Sequence, residues 1–245
     1  PGLRFEIDSD DVIMKYVSDH PSEHIHKASG IMLEPLKKVP TDTVQVMKNL
    51  FTDPVAARKI VDNIDKFQEK IWGVARIARS SGIDANVYMH LPEDVIYKWW
   101  DYNNRELYIR QCNSVEFGAE RMKSIRPLVN DIVKKADEAL STGRYAADLK
   151  FGHDYPLLSL ASYLHLSGVG DVVSFDEIPT RWNDPMNIPL ASNLQIIFYR
   201  SKKSQDILVK FVYNDEERTI AGLEPVSGVY CKWNDVKNFV NDRRD

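Results

Sequence analysis

Apolar residues recur at three- and four-residue spacings through the first half of the chain. In the second half the pattern changes to short runs of β-branched and aromatic residues. Between Pro54 and Arg79, the residues Val55, Ile60, Val61, Ile64, Phe67, Ile71, Val74 and Ala78 line one face, which predicts a single long helix. Asp53 is placed to cap it, Pro54 suits its first turn, and Gly82 follows its end. A second helix is expected to open at Leu91-Pro92-Glu93-Asp94, where acidic residues complement the helix dipole. It contains Trp99 and Trp100, which together with Trp182 read as packing residues rather than a ligand platform. A third helix, about Ser124 to Leu140, buries Ile125, Leu128, Val129, Ile132, Val133 and Ala136 and ends before Ser141-Thr142-Gly143.

After Gly143 the texture changes. Ala146 to Phe151 reads as a short strand, and Gly152-His153-Asp154 as a turn. A helix from about Tyr155 to Leu166 follows, with Leu157, Leu158, Ala161 and Leu164 inward and Gly168 and Gly170 stopping it. Leu194 to Arg200 and Ile207 to Tyr213 are strand-like and joined by Ser201-Lys202-Lys203-Ser204-Gln205, which predicts a hairpin. Trp233 to Val240 is expected as a closing helix. Helices, a strand–helix unit and then further strands suggest an α/β core with a helical subdomain.

Composition narrows the class without naming it. A 245-residue chain with 43% hydrophobic and 28% charged residues has the make-up of a globular protein, not a disordered or fibrous one. No apolar run approaches the roughly 20 residues of a membrane-spanning helix. The formal net charge of −4 argues against a general nucleic-acid or membrane-surface role, although an acidic protein can still carry a basic pocket for a small anion. Two cysteines, Cys112 and Cys231, make no disulfide framework, and either a single bridge or two buried thiols would fit.

The candidate chemistry lies in Leu149-Lys150-Phe151-Gly152-His153-Asp154-Tyr155-Pro156. It sets an imidazole beside a carboxylate where a strand is expected to end and a helix to begin. Free backbone N–H groups at a helix start, with the dipole, favour a bound anion such as phosphate. The same residues also suit a structural role, with Asp154 as a helix cap and His153 as a packed turn residue. His20, His24 and His26 are close in sequence, but Pro21 disrupts a shared helical face and no cysteine is near, so no metal site is expected. Arg121, Lys123 and Arg126 form a basic patch that more often is simply solvated, and His165 reads as structural.

Lys150-Phe151-Gly152-His153-Asp154, with its leucine-rich helix, resembles the C-terminal histidine–aspartate motif of the branch-two histidine phosphatases. Many inositol polyphosphate phosphatases carry His-Ala-Glu at that place, so the His-Asp form is closer to other phytases and acid phosphatases. A second segment, Ile188-Pro189-Leu190-Ala191-Ser192-Asn193-Leu194 running into Gln195-Ile196-Ile197-Phe198-Tyr199, is similar to the alanine–serine–asparagine strand of the multiple inositol polyphosphate phosphatase type. The resemblance is strong from Lys123 onward and loose before it.

The resemblance implies an α/β histidine phosphatase-like core, with residues 1–115 a mainly helical subdomain and 116–245 the C-terminal part of the core. It departs in one respect: none of the six histidines follows an arginine or precedes a glycine, whereas the family's nucleophile lies in an arginine–histidine–glycine motif. The N-terminal part of the core, with that nucleophile and phosphate-clamping arginines, is therefore expected outside this chain. The function implied is hydrolysis of inositol polyphosphates (phytate) or general phosphomonoesters through a phosphohistidine. His153 would contact the phosphoryl group and Asp154 would be the proton donor, with no cofactor and no metal. The chain alone is expected to be inactive, its partners to be a phosphorylated small molecule and the nucleophile-bearing segment, and its setting to be periplasmic or secreted. The alternative is a non-catalytic, anion-binding or structural remnant.

Overall fold

Four helices open the part of the chain that the computed structural model describes, namely residues 21–78, 80–83, 86–143 and 147–243. They are α1 (Glu23–Lys37), α2 (Thr43–Leu50), α3 (Pro54–Ile60) and α4 (Ile64–Ala78). Asp53 caps α3 as expected, its carboxylate accepting from the Ala56 N–H at 2.9 Å, with Pro54 in the first turn. The single helix expected from Pro54 to Arg79 is instead two helices, and Arg79 itself lies outside the described residues. Val61 turns extended at φ −82°, ψ 94°, and the Asn63 side chain accepts from the Lys66 N–H at 2.9 Å, capping a new helix. The interruption moves the buried face. Gln68, Trp72, Ala75 and Ala78 point inward in α4, while Val55, Ile60 and Val74 are exposed. Asn63→Ala is expected to cost about 1 kcal/mol in urea denaturation, the usual cost of a lost cap. An unchanged midpoint would mean that packing alone sets the break.

A 3₁₀ turn at Val87–His90 leads into α5 (Glu93–Gln111), which opens where the acidic pair predicts. Trp99 is buried and Trp100 half-buried. The described residues fall into two compact units, Lys27–Glu106 and the rest, so the division comes within α5.

The larger unit is built on α6 (Gly118–Thr142) and α7 (Asp154–Tyr163). Helix α6 starts six residues before the expected Ser124, because the Gly118 N–H already reaches Ser114 O at 2.8 Å. It ends on Gly143 in the left-handed region, φ 63°, whose N–H returns to Ala139 O. Ile125, Leu128 and Val129 are buried as the pattern predicts. Helix α7 stops at Tyr163 rather than Leu166. The residue that ends it is His165, left-handed at φ 49°, not the glycines that follow. Gly170 serves close approach instead: a Cβ there would lie 2.4 Å from Ala161 O.

The expected strand before α7 is not formed. Ala146 lies outside the described residues, and 147–151 pair with no strand. A strand needs a ladder partner for its backbone groups, and here Leu149 and Phe151 stand 66% and 84% exposed.

Two short helices, α8 (Ile178–Arg181) and α9 (Asp184–Asn187), lead to the sheet. Strands β1 (Leu194–Arg200) and β2 (Ile207–Tyr213) form the predicted hairpin, antiparallel from Leu194↔Tyr213 to Arg200↔Ile207. A tight turn at Asn214-Asp215, both at positive φ, adds β3 (Glu216–Arg218) along the other edge of β2, and β4 (Cys231–Lys232) pairs with that edge too. The fold is thus mixed α and β, mostly helical, with one small antiparallel sheet among the described residues. Helix α10 (Trp233–Asn241) closes it. Trp233 meets Phe198 of β1 edge-on at 4.9 Å between centroids, and its indole N–H donates to Asp137 of α6 at 2.7 Å. Cys112 and Cys231 are both buried free thiols. Among the described residues no helix is long and apolar enough to cross a membrane.

Candidate active site

His153 is the N-cap residue of α7, extended at φ −92°, ψ 168°, and its side chain does not cap the helix. Asp154 is the first helical residue. Its Oδ1 accepts from the N–H of its neighbour Tyr155 at 3.0 Å. Both side chains are exposed, and among the described residues the His153 ring has no hydrogen-bond partner. Among the described residues the helix start thus presents an imidazole without a hydrogen-bond partner and a carboxylate that holds one local hydrogen bond. Of the structural alternatives, Asp154 is the first helical residue rather than the cap, and His153 is exposed rather than packed.

The helix that carries the pair is packed on the core. Leu158 is fully buried, and Ser159, also fully buried, donates to Gln111 O at 2.7 Å. Arg121, expected on a solvated basic patch, is instead almost entirely buried below α7. Its Nε donates to Ser159 Oγ at 3.0 Å and its Nη1 to Ser124 Oγ at 3.2 Å. The alternation of helix faces, not the local run of charges, decides this, since Arg121 and Ile125 lie on the inward stripe of α6. Lys123, on the other face, is exposed. Lys150 of the motif is half-buried and bound to Asp131 of α6 at 2.7 Å, so it anchors the segment that leads to the pair.

The second motif is tied to the sheet. Asn193 and Asn214 exchange two hydrogen bonds, the Asn193 N–H donating to Asn214 Oδ1 at 2.9 Å and the Asn214 N–H to Asn193 O at 3.1 Å. Ser192 Oγ donates to Pro189 O at 2.6 Å, and Ala191 between them is left-handed at φ 62°. The Tyr213 hydroxyl, buried beside this turn, donates to Asn187 O at 2.8 Å. Burial holds the Tyr213 phenol well above its usual range, and Cys112 and the Asp154 carboxylate add to the rise. The Asp154 carboxylate is the weakest of these influences on Tyr213. Neither Tyr213 nor Asn214 stood out in the sequence. The signal was the Asn-Asp pair closing an alternating run, a tight-turn signature.

Two further groups lie elsewhere. Of the clustered histidines, His20 falls outside the described residues. The His24 Nδ1 lies 2.8 Å from Glu120 Oε2, and the Ser22 hydroxyl donates to the other oxygen. The hydrogen bonds from Ser22 and then His24 hold the Glu120 carboxyl below the usual carboxylate range. A cavity of about 580 Å³ between α6, the β1–β2 hairpin and α10 includes neither His153 nor Asp154. Its Lys232 and Lys237 are paired with Asp206 and Asp137 at 3.0 and 3.1 Å, so it offers no uncompensated charge from those residues.

No known protein-family model matches the chain, and no curated protein matches it significantly.

Proposed function

We propose that this chain supplies the proton-donor part of a phosphomonoester hydrolase of the histidine acid phosphatase kind, acting on inositol polyphosphates or general phosphomonoesters. The observation that carries the reading is the exposed His153–Asp154 pair at the start of α7, with a ring that has no hydrogen-bond partner among the described residues and a carboxylate that accepts from its neighbour's N–H. A histidine supplied from outside this chain attacks phosphorus, and the P–O bond to the leaving group breaks as the phosphohistidine forms. The imidazole of His153 donates to a phosphoryl oxygen where negative charge develops. Asp154, protonated in acid, hands its proton to the departing alkoxide and is reprotonated from solvent, and water then cleaves the P–N bond of the phosphohistidine to release phosphate and the free imidazole. No metal or cofactor enters this scheme, and the setting that accompanies the reading is periplasmic or secreted.

A second reading, a non-catalytic structural remnant, is favoured by Lys150, the cation nearest in sequence, whose charge is compensated by Asp131 and so is not offered to a phosphate. The readings part in a simple experiment. The 245-residue chain alone is expected to show no metal-free turnover of a nitrophenyl phosphate under either. A polypeptide extended through the adjoining coding sequence is expected to hydrolyse it and to form an acid-labile phosphohistidine. An extended polypeptide with no arginine–histidine–glycine segment and no turnover would leave the non-catalytic reading. Turnover with phosphoenzyme formation by the 245 residues themselves would show that the nucleophile is misplaced here.

A further inference from the structure

His165 stands where several elements of the larger unit meet, in a backbone conformation that few residues other than glycine adopt. Its N–H donates to Ser162 O at 3.0 Å at the end of α7, and its carbonyl accepts from the Ala221 N–H at 2.9 Å after β3. The ring is half-buried, with Nε2 2.8 Å from the Nδ2 of Asn113, and it stands edge-on to Phe239 of α10, 6.3 Å between centroids. The Arg243 guanidinium stacks on the same Phe239 at 4.3 Å from its centroid.

An amide nitrogen only donates, so Nε2 opposite Asn113 must accept, which requires an uncharged ring. Asn113 turns its Nδ2 to the ring and its Oδ1 to Gly118, so a proton on Nε2 would set N–H against N–H and the contact would have to break or the amide turn over. Burial and then the charge of Arg243 oppose protonation, while Asp171 favours it, and the balance holds the imidazole at about 4.

We propose that His165 is an acid-sensitive latch: as a neutral ring it ties Asn113, the end of α7 and α10 together, and its protonation loosens that junction. The latch does not depend on the phosphatase reading. An unfolded histidine takes up its proton near pH 6.5, the folded one only near 4. The unfolded state therefore binds more protons between these values. The stability that the latch contributes is complete above about pH 6.5, declines as the pH falls to about 4, and changes no further below. The decline is at most about tenfold in the folding constant per pH unit, and smaller than that because the ring is only partly buried.

The test is an NMR titration of the 245-residue chain with assigned imidazole resonances, beside urea denaturation from pH 8 to 4 of the chain and of His165→Asn. Asparagine tolerates positive φ and stays uncharged throughout. His165 is expected to titrate more than one unit below 6.5, and the unmodified chain to lose more stability than the variant between pH 6.5 and 4, with parallel curves above pH 7. Titration near 6.5, or curves parallel over the whole range, overturns the latch. If the variant does not fold, amide exchange in the unmodified chain decides. Exchange of the Phe239 and Val240 amides, corrected for the intrinsic rate, should quicken below pH 6, and unchanged protection refutes the proposal.

Discussion

Asp154→Asn, in a polypeptide that also carries the nucleophile, is expected to lower turnover of an inositol phosphate by roughly 10²–10⁴-fold, the usual worth of a positioned proton donor. The fold should be almost unaffected. Asp154 is exposed, its carboxylate accepts from the Tyr155 N–H, and the asparagine amide oxygen can accept that bond equally. A nitrophenolate leaving group needs no proton, so the same variant should hydrolyse a nitrophenyl phosphate nearly as fast as the unmodified enzyme. His153→Ala should slow both substrates, because charge on the phosphoryl oxygens develops whichever group departs. Steady-state kinetics of the two variants on the two substrates separate the roles. If Asp154→Asn slows both leaving groups alike, or neither, Asp154 is only a first-turn residue of α7 and the acid lies elsewhere.

Leu158→Ala is expected to destabilise the chain by about 2–5 kcal/mol, the range for deleting a fully buried leucine side chain and leaving a cavity. Leu158 is wholly buried in the core formed by α6, α7, β2 and α10, one turn beyond the candidate site. It therefore reports how firmly α7 is held. Urea denaturation with an unchanged m-value would give the loss directly. Phe151→Ala provides the contrast. Phe151 is 84% exposed, so its truncation should change stability by less than about 0.5 kcal/mol. A loss below about 1 kcal/mol at Leu158 would mean that α7 is not anchored by this core.

Several elements were readable from local pattern because local physics governs them. The β1–β2 hairpin follows from two β-branched and aromatic runs around a polar linker, and its bounds in the structure are those of the pattern. The Asp53–Pro54 cap, the acidic opening of α5 and the glycine ending α6 each use groups within a turn of one another. The position of the candidate pair at the start of α7 was legible for the same reason.

Other features depended on partners distant in the chain. Nothing in the spacing of Val55 to Ala78 revealed that Asn63 would start a second helix, since a cap and a continuous face compete on nearly equal terms. The run 147–151 has strand-like composition, but a strand exists only through a ladder, and none of the described strands pairs with it. Arg121 looked like part of a surface charge patch until α6 was placed, with its inward stripe carrying the guanidinium to Ser159 of α7. The tie of Asn193 to Asn214, 21 residues away, likewise arises only when the hairpin folds back. The sequence by itself determined where helices cap and strands turn, because those choices close hydrogen bonds within a few residues. Tertiary structure alone decided which charges are buried and which strand finds a partner, because burial and pairing are properties of surfaces that the chain brings together only on folding.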